Sequence, residues 1–186
     1  DDEGNEYLDF LSGISVASVG HSNPAVVEAV REQVGTLMHV SNLFYTEPMV
    51  RLAERLSESS LGGRVFFSNS GTEANECAIK IARKRAHRRG ISAPEIVSFE
   101  RDFHGRTYGA INAAANPSYT DGFGPPMQGF HQLTFGDHEA IKAAISSPTT
   151  AAIIVEPVQG EGGCRAIPEQ CLRGLREMCD EYGVLI

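Results

Sequence analysis

The segment between residues 65 and 82 constrains the fold of this chain more than any other. An apolar run, Val65–Phe67, precedes the small polar residues Ser70, Gly71 and Thr72. A stripe of apolar side chains follows at the spacing of one face of an amphipathic helix, and it consists of Ala74, Cys77, Ala78, Ile81 and Ala82. This order predicts a strand, a tight polar turn and a helix.

The polar turn has the chemistry of an anion site. Ser70 and Glu73 have the spacing of a capping box, which predicts that the helix begins at Ser70. The first N–H groups of a helix have no partner inside it and lie at the positive end of its dipole. We therefore expect Ser70, Gly71 and Thr72 to bind a phosphate, with two hydroxyl groups as further donors. A capping box that only starts a helix is the alternative interpretation.

Composition narrows the functional class. The 186 residues carry a formal net charge of −8, which argues against nucleic acid as the main partner. The basic run Lys80–Arg89 is interpreted as a solvated helix face, with a polyanion site as the alternative. No apolar run has the length of a membrane span and no signal segment opens the chain, so we expect no membrane partner. Two of the four cysteines lie at apolar helical positions, where a buried reduced thiol is expected, and this favours a reducing, cytoplasmic compartment. The cysteines lack the spacing of metal ligands, and we expect no metal site.

Strand-like and helix-like segments alternate along the chain, which predicts an α/β fold with a mostly parallel sheet flanked by helices. Predicted strands are Val65–Phe67, Ile96–Phe99, Leu133–Phe135 and Ala151–Val155, and predicted helices begin near Asn23, Thr46, Ser70, Asp137 and Pro168. Ala151–Val155 lacks polar alternation and should therefore be central in the sheet. Because the apolar residues from Val184 predict the start of a further strand, we expect the chain to be an internal piece of a longer polypeptide, with an incomplete fold.

Three motifs, in order along the chain, resemble the class III pyridoxal-phosphate aminotransferases, most closely their acetylornithine aminotransferase branch. They are Asn69–Glu76, Phe103–Thr107 and Val155–Gly163, and the segments Tyr7–Phe10, Gly20–His21 and Val40–Tyr45 also look like the family. The resemblance implies a fold-type I transferase dependent on pyridoxal 5'-phosphate (PLP). Residues 1–45 would belong to the small domain and the interface, and residues 46–186 to the N-terminal part of the large PLP-binding domain.

The resemblance also implies roles for individual residues. The cofactor-binding residues would be Ser70, Gly71 and Thr72 at the phosphate, Phe103 stacked on the pyridine ring, His104 beside it, and Glu156. The substrate-binding residues would be Arg106 at the α-carboxylate, Glu161 as a gate paired with an arginine of the C-terminal domain, Ile14 in the pocket, and Tyr45 at its entrance. From the residues alone, Phe103 could be a core aromatic, Arg106 a surface arginine, and the two glutamates loop charges or an acid/base pair.

The three lysines, Lys80, Lys84 and Lys142, do not lie in predicted loops or at strand ends where they could hold the cofactor. We therefore expect the Schiff-base lysine and the acidic partner of the pyridine nitrogen beyond Ile186, so that this chain has no catalytic residue and is inactive alone. The implied reaction is amino transfer from N2-acetylornithine to 2-oxoglutarate by a homodimer, and the apolar Ile14 favours such an N-acylated donor. The alternatives are an ornithine- or 4-aminobutyrate-type ω-aminotransferase, and a non-catalytic module that binds a phosphorylated ligand.

Overall fold

The computed structural model describes residues 1–114 and 116–186. Contacts divide these residues into two compact units, Asp1–Val65 and Phe66–Ile186. The assignment of residues 1–45 to a small domain and interface, and of residues 46–186 to a large domain, stays a prediction.

The first unit contains short helical elements with little burial. They are α1 (Ser12–Ser15), α2 (Pro24–Thr36), a 3-10 turn (Ser41–Leu43) and α3 (Glu47–Glu58). The predicted start of α2 is confirmed, because the Asn23 side chain accepts hydrogen bonds from the N–H groups of Ala25 and Val26. Every residue of α2 and α3 is exposed or half-buried, so this unit does not form a core around these helices.

The second unit contains an alternating series of helices and strands. In order they are α4 (Gly71–Arg88), β1 (Glu95–Phe99), α5 (Tyr108–Ala114), α6 (Pro117–Thr120), β2 (Phe130–Leu133), α7 (His138–Ser146), β3 (Thr150–Ile153), β4 (Val158–Gln159), β5 (Arg165–Ala166) and α8 (Glu169–Tyr182). The predicted starts at Ser70, Asp137 and Pro168 are confirmed, since these residues are the N-caps of α4, α7 and α8.

Two strand predictions are wrong in detail. Val65–Phe67 is not a strand, since none of its residues pairs with a described strand, and the Phe66 side chain is 66% exposed. The strand expected at Leu133–Phe135 lies earlier, at Phe130–Leu133, because its register is set by pairing with β1 and not by its own apolar pattern. Apolar runs this short do not separate a strand from an extended loop.

The main sheet has the order β2-β1-β3, and all its strands are parallel. Ile96 of β1 lies opposite Phe130 on one side and Ala152 on the other. Ala152 also forms a parallel bridge with Leu185, so β3 has a neighbour on each side, as its continuous apolar pattern predicts. A separate antiparallel hairpin joins β4 to β5.

The core has two layers, one on each face of this sheet. On one face, Val97 and Phe99 pack with the apolar side chains of α7 and α8, including Ile145 and Leu175. On the other face, Ile96 packs with α4 and α5. Successive side chains of β1 thus point to opposite faces, which buries both. Helices that cover both faces are typical of a parallel α/β sheet.

This topology places three segments at the edge where β1 and β3 end, here called the carboxyl edge. Residues 100–107 leave the end of β1, and residues 154–157 leave the end of β3. The first turns of α4 contact the loop after β1, since the Asn75 side chain donates to the carbonyl oxygen of His104 at 2.7 Å. In open parallel sheets, ligands bind at this edge.

The described residues include no helix that is both long and apolar enough to cross a membrane. Within the same residues, no group of three or more His, Cys, Asp or Glu side chains could hold a metal ion. The cysteines are free thiols.

Candidate functional site

The start of α4 is built by side chains that hold its first turn open. The Ser70 hydroxyl accepts the N–H of Glu73 at 3.3 Å, and the Glu73 carboxylate accepts the N–H of Asn69 at 2.8 Å. This is a capping box displaced by one residue, because the carboxylate accepts the main-chain N–H of Asn69 and not that of Ser70. The Glu73 carboxylate also accepts a hydrogen bond from the Asn69 side chain. This bond, followed by those from the Ser70 hydroxyl and the Asn69 N–H, lowers the pKa of Glu73.

Two main-chain donors remain available at this turn. Among the described residues, no acceptor lies within hydrogen-bonding distance and angle of the N–H groups of Gly71 and Thr72. They open a helix of 18 residues, so the positive end of its dipole lies at the same place. Two adjacent N–H groups at a helix start form an anion-binding geometry.

The hydroxyl groups that the sequence suggests as additional donors have partners inside the chain. The Ser70 hydroxyl lies 3.2 Å from the Glu73 carboxylate, to which it donates. The Thr72 hydroxyl lies 2.9 Å from that of Thr107. An anion at this turn would therefore be bound mainly by main-chain N–H groups.

The loop after β1 is fixed from several sides. The N–H of Phe103 donates to the Glu156 carboxylate at 2.7 Å, which ties the ends of β1 and β3 together. Asp102 is buried and accepts from the Gln159 side chain at 2.8 Å. Since Asp102 is satisfied in this way and also by the N–H of Phe99, its burial is compatible with a stable loop.

His104 is buried beside this pair. Its side chain is 3% exposed, and Nε2 lies 3.3 Å from a carboxylate oxygen of Asp102. The angle is unsuitable for a hydrogen bond, so among the described residues this nitrogen has no hydrogen-bond partner. The position next to Phe103 is compatible with the predicted place beside a ligand ring.

Gly105 brings the loop into direct contact with α4. A Cβ atom at Gly105 would lie 2.1 Å from the Thr72 hydroxyl oxygen and 2.3 Å from the Thr72 Cβ. The glycine also has a φ of +121°, which L side chains rarely adopt. Only glycine can therefore occupy this position without moving the loop away from the first turn of α4.

Arg106 lies in an aromatic cluster. Its guanidinium carbon is 4.1 Å from the centre of the Tyr119 ring and 5.6 Å from that of Phe103. The two rings meet edge to face, with their centres 6.0 Å apart. The N–H donors of Arg106 make no hydrogen bond or ion pair with a described residue, so stacking orients the guanidinium while its donors stay free to bind a carboxylate.

The other predicted substrate residues are Glu161, Ile14 and Tyr45. Glu161 is exposed in the turn between β4 and β5. Ile14 and Tyr45 belong to the first unit, where their side chains are 74% and 89% exposed. Ile14 has a φ of +60°, a left-handed conformation that is unusual for a β-branched residue.

The lysines of the chain are exposed, and two of them lie on α4 well beyond its first turn. Lys80 and Lys84 follow Gly71 on the same helix by about 14 and about 20 Å, at 1.5 Å per residue. Lys142 is exposed on α7.

The basic run Lys80–Arg89 is partly structural, because Arg85 and Arg89 both donate to the carbonyl oxygen of Gly183.

Sequence reasoning missed several residues of this site. They are Asn75, Glu76, Asp102, Thr107, Tyr119 and Gln159, all of which contact a predicted site residue or the loop that carries it. Most of them lie within or next to the three motifs, so their position in the sequence could have indicated that they belong to the site. Tyr119 is outside every motif, and no sequence pattern links it to Arg106.

Known proteins are similar to this chain over nearly its whole length. Residues 1–186 match the family model for aminotransferase class III. Acetylornithine aminotransferase 2 of Caulobacter vibrioides is 58% identical over 99% of this chain and 46% of its own length. Acetylornithine aminotransferase of Methanopyrus kandleri is 50% identical over 100% of this chain and 47% of its own length. The chain thus spans about half the length of the curated relatives it matches.

Solved structures share the fold. The ornithine aminotransferase of Toxoplasma gondii superposes with a TM-score of 0.94 at 33% identity, over 100% of this chain and 45% of that one. The N-acetylornithine aminotransferase of Stenotrophomonas maltophilia gives a TM-score of 0.83 at 36% identity, over 100% and 46%. The predicted α/β fold, with a parallel sheet flanked by helices, is confirmed. Since both the family model and these relatives cover the chain from end to end, it belongs to the class III aminotransferases.

Proposed function

We propose that the protein carrying this chain is a PLP-dependent transaminase, and that this chain supplies residues that bind the phosphate and the ring of the cofactor. The observation that carries the proposal is the pair of available N–H groups on Gly71 and Thr72, next to the Phe103 loop at the carboxyl edge. Relatives named acetylornithine aminotransferases support it, as does a solved taurine:2-oxoglutarate aminotransferase described in complex with PLP.

The residues present fit a phosphate-bearing aromatic cofactor. The main-chain N–H groups of Gly71 and Thr72, capped by Ser70, would hold the phosphate. Phe103 would stack on the ring, with His104 beside it. Glu156 would act through the Phe103 N–H, keeping that ring in position. When bound, PLP supplies an electron sink for the carbanion formed at the substrate carbon.

The substrate side of the proposal rests on two charged residues. Arg106 would bind the α-carboxylate with its planar fork, already oriented by Tyr119. Glu161 would pair with an arginine from another part of the protein and act as a gate. Its exposed position on the turn between β4 and β5 leaves it accessible to such a partner.

The proposed donor is N2-acetylornithine and the proposed acceptor is 2-oxoglutarate. A relative named succinylornithine transaminase/acetylornithine aminotransferase also supports an N-acylated donor. Ornithine and 4-aminobutyrate are the neighbouring candidates. We further propose a cytoplasmic homodimer, with residues 1–45 in the small domain and interface and residues 46–186 in the large domain.

The substrate proposal is testable at Ile14. Replacing Ile14→Tyr in the intact protein should raise the rate with free ornithine relative to N2-acetylornithine, because a tyrosine hydroxyl can bind the additional amine. Ile14→Leu is the matched apolar control, and it should preserve the ratio of the two rates. An unchanged ratio in the tyrosine variant would contradict the assignment of Ile14 to the substrate pocket.

The reaction itself requires a lysine that binds the cofactor covalently, and the exposed lysines of this chain are poor candidates. The intact protein should be incubated with PLP, reduced with borohydride and mapped by peptide mass spectrometry. One labelled lysine outside residues 1–186 is the expected result. Scattered labelling of Lys80, Lys84 and Lys142, or none, would favour a module that only binds a phosphorylated ligand.

A further inference from the structure

Glu76 is a half-buried carboxylate with an unusual set of partners. It lies on α4 one turn after Thr72, and among the described residues no Lys, Arg or His forms an ion pair with it. Its Oε1 instead accepts the Thr107 hydroxyl at 2.5 Å and the N–H of Ala110 at 3.2 Å. The negative charge is thus stabilised by donors from the loop after β1 and from the first turn of α5.

The direction of each hydrogen bond follows from the number of protons. The hydroxyl proton of Thr107 is donated to Glu76, because a carboxylate can only accept. The 2.9 Å contact between the hydroxyls of Thr72 and Thr107 must therefore use the proton of Thr72. The N–H of Thr107 completes the arrangement by donating to the Thr72 oxygen at 3.4 Å.

Two glycines leave space for this chain of hydrogen bonds. A Cβ atom at Gly109 would lie 2.6 Å from both carboxylate oxygens of Glu76. A Cβ atom at Gly105 would overlap Thr72 in the same way. The threonine hydroxyl therefore approaches the main chain of the loop, and the carboxylate approaches that of the first turn of α5, which fixes the loop and the start of α5 against α4.

We propose that Glu76 is a positioning residue of this site, which, through Thr107, directs the Thr72 hydroxyl into the protein and holds the loop carrying Phe103 and Arg106 against the start of α4. The proposal rests on the proposed function. It assigns binding of the phosphate to main-chain N–H groups and gives the Thr72 side chain a purely internal role. The site is then formed before the cofactor binds, which lowers the ordering cost of binding.

The first experiment is a double-mutant cycle on PLP affinity in the apo form of the intact protein, measured by calorimetric titration. Thr72→Val and Thr107→Val should each weaken PLP binding by about tenfold, the size of one lost hydrogen bond. The double variant should bind about as weakly as Thr107→Val alone, because that change already removes the hydroxyl contact that Thr72→Val breaks, together with the hydrogen bond to Glu76. If Thr72 donated to the phosphate, the losses would multiply to about a hundredfold, which would overturn the proposal.

The second experiment measures hydrogen exchange of the Ala110 amide in the same apo protein, with no cofactor present. Glu76→Ala should reduce its protection by about tenfold or more, since a hydrogen bond to a charged acceptor is lost. Glu76→Gln keeps an acceptor and should retain most of the protection, and it covers the case in which the alanine variant does not fold. Glu177→Gln, at an exposed position on α8, is the matched control.

PLP affinity and the exchange of the Ala110 amide separate a failure of the proposed function from a failure of the positioning role of Glu76. If the wild-type protein binds no PLP, the proposed function fails, yet the exchange of Ala110 still reports on Glu76. Unchanged exchange in both Glu76 variants would overturn the positioning role, whatever the affinity for PLP.

Discussion

The contact between Gly105 and Thr72 makes one substitution especially informative. In Gly105→Ala, the new Cβ would lie 2.1 Å from the Thr72 hydroxyl oxygen and 3.0 Å from the Thr72 Cα. Rotation of the threonine side chain can relieve the first overlap but cannot move the main chain. The loop that carries Phe103 and Arg106 must therefore shift away from α4.

The expected loss of stability has two parts. An alanine at the φ of +121° costs about 1–3 kcal/mol in backbone strain. Forcing a methyl group into a filled space adds about 1–3 kcal/mol. The free energy of unfolding should fall by about 2–6 kcal/mol in total, which is a large part of the stability of most domains.

Gly136 offers a control that isolates the second part. Its φ is +101°, and a Cβ there would have no atom within 4 Å. Gly136→Ala should therefore cost only the strain of about 1–3 kcal/mol. Urea unfolding of the intact protein gives both values, provided that the dependence on urea concentration is the same in all variants. PLP affinity, measured in parallel, should fall only in Gly105→Ala.

Equal losses in the two variants would refute this reasoning. The alanine at Gly105 would then experience no overlap, and the loop would not lie against Thr72. A loss in Gly105→Ala that exceeds the control, with unchanged PLP affinity, would retain the contact but reject its role in the cofactor site.

Two further predictions concern charged side chains. Tyr119→Leu should raise the KM for 2-oxoglutarate several-fold with little change in kcat, because Arg106 loses the ring on which it stacks. Tyr119→Phe keeps the ring and should keep the wild-type KM. An equal KM in the two variants would contradict this role of the ring. Hydrogen bonds from Thr149 and His131 lower the pKa of Glu95 below its ordinary value of 4.5. Because the folded pKa is the lower one, this group contributes stability above pH 4.5 that is lost as the pH falls through the folded value. Glu95→Gln should therefore flatten the acid side of the stability profile in urea unfolding, and an unchanged profile would show that other carboxylates control it.

Local rules predicted those parts of this protein that depend on neighbours in sequence. Ser70 begins α4 because an N-cap oxygen satisfies an N–H three residues later. Gly183 ends α8 in the left-handed conformation, with a φ of +67°, as glycine after a helix commonly does. The apolar runs around Ile96 and Ala152 indicated buried strands because both faces of the sheet are covered. The start of α4, where we propose the anion site, could thus be predicted from residues within one helical turn.

Tertiary structure decided everything that depends on pairing across the chain. Thr72 and Thr107 are 35 positions apart, and Asp102 and Gln159 are 57 apart. No local pattern encodes such contacts, because they arise only when α4 packs on the sheet and when β1 and β3 pair and bring their following loops to one edge. The pairing of β2 with β1 likewise decided that β2 lies at Phe130–Leu133. The sequence alone therefore predicted the segment that begins α4. The direction of each hydroxyl group and the stacking of Arg106 on Tyr119 required the assembled sheet, since only it brings distant loops within contact distance.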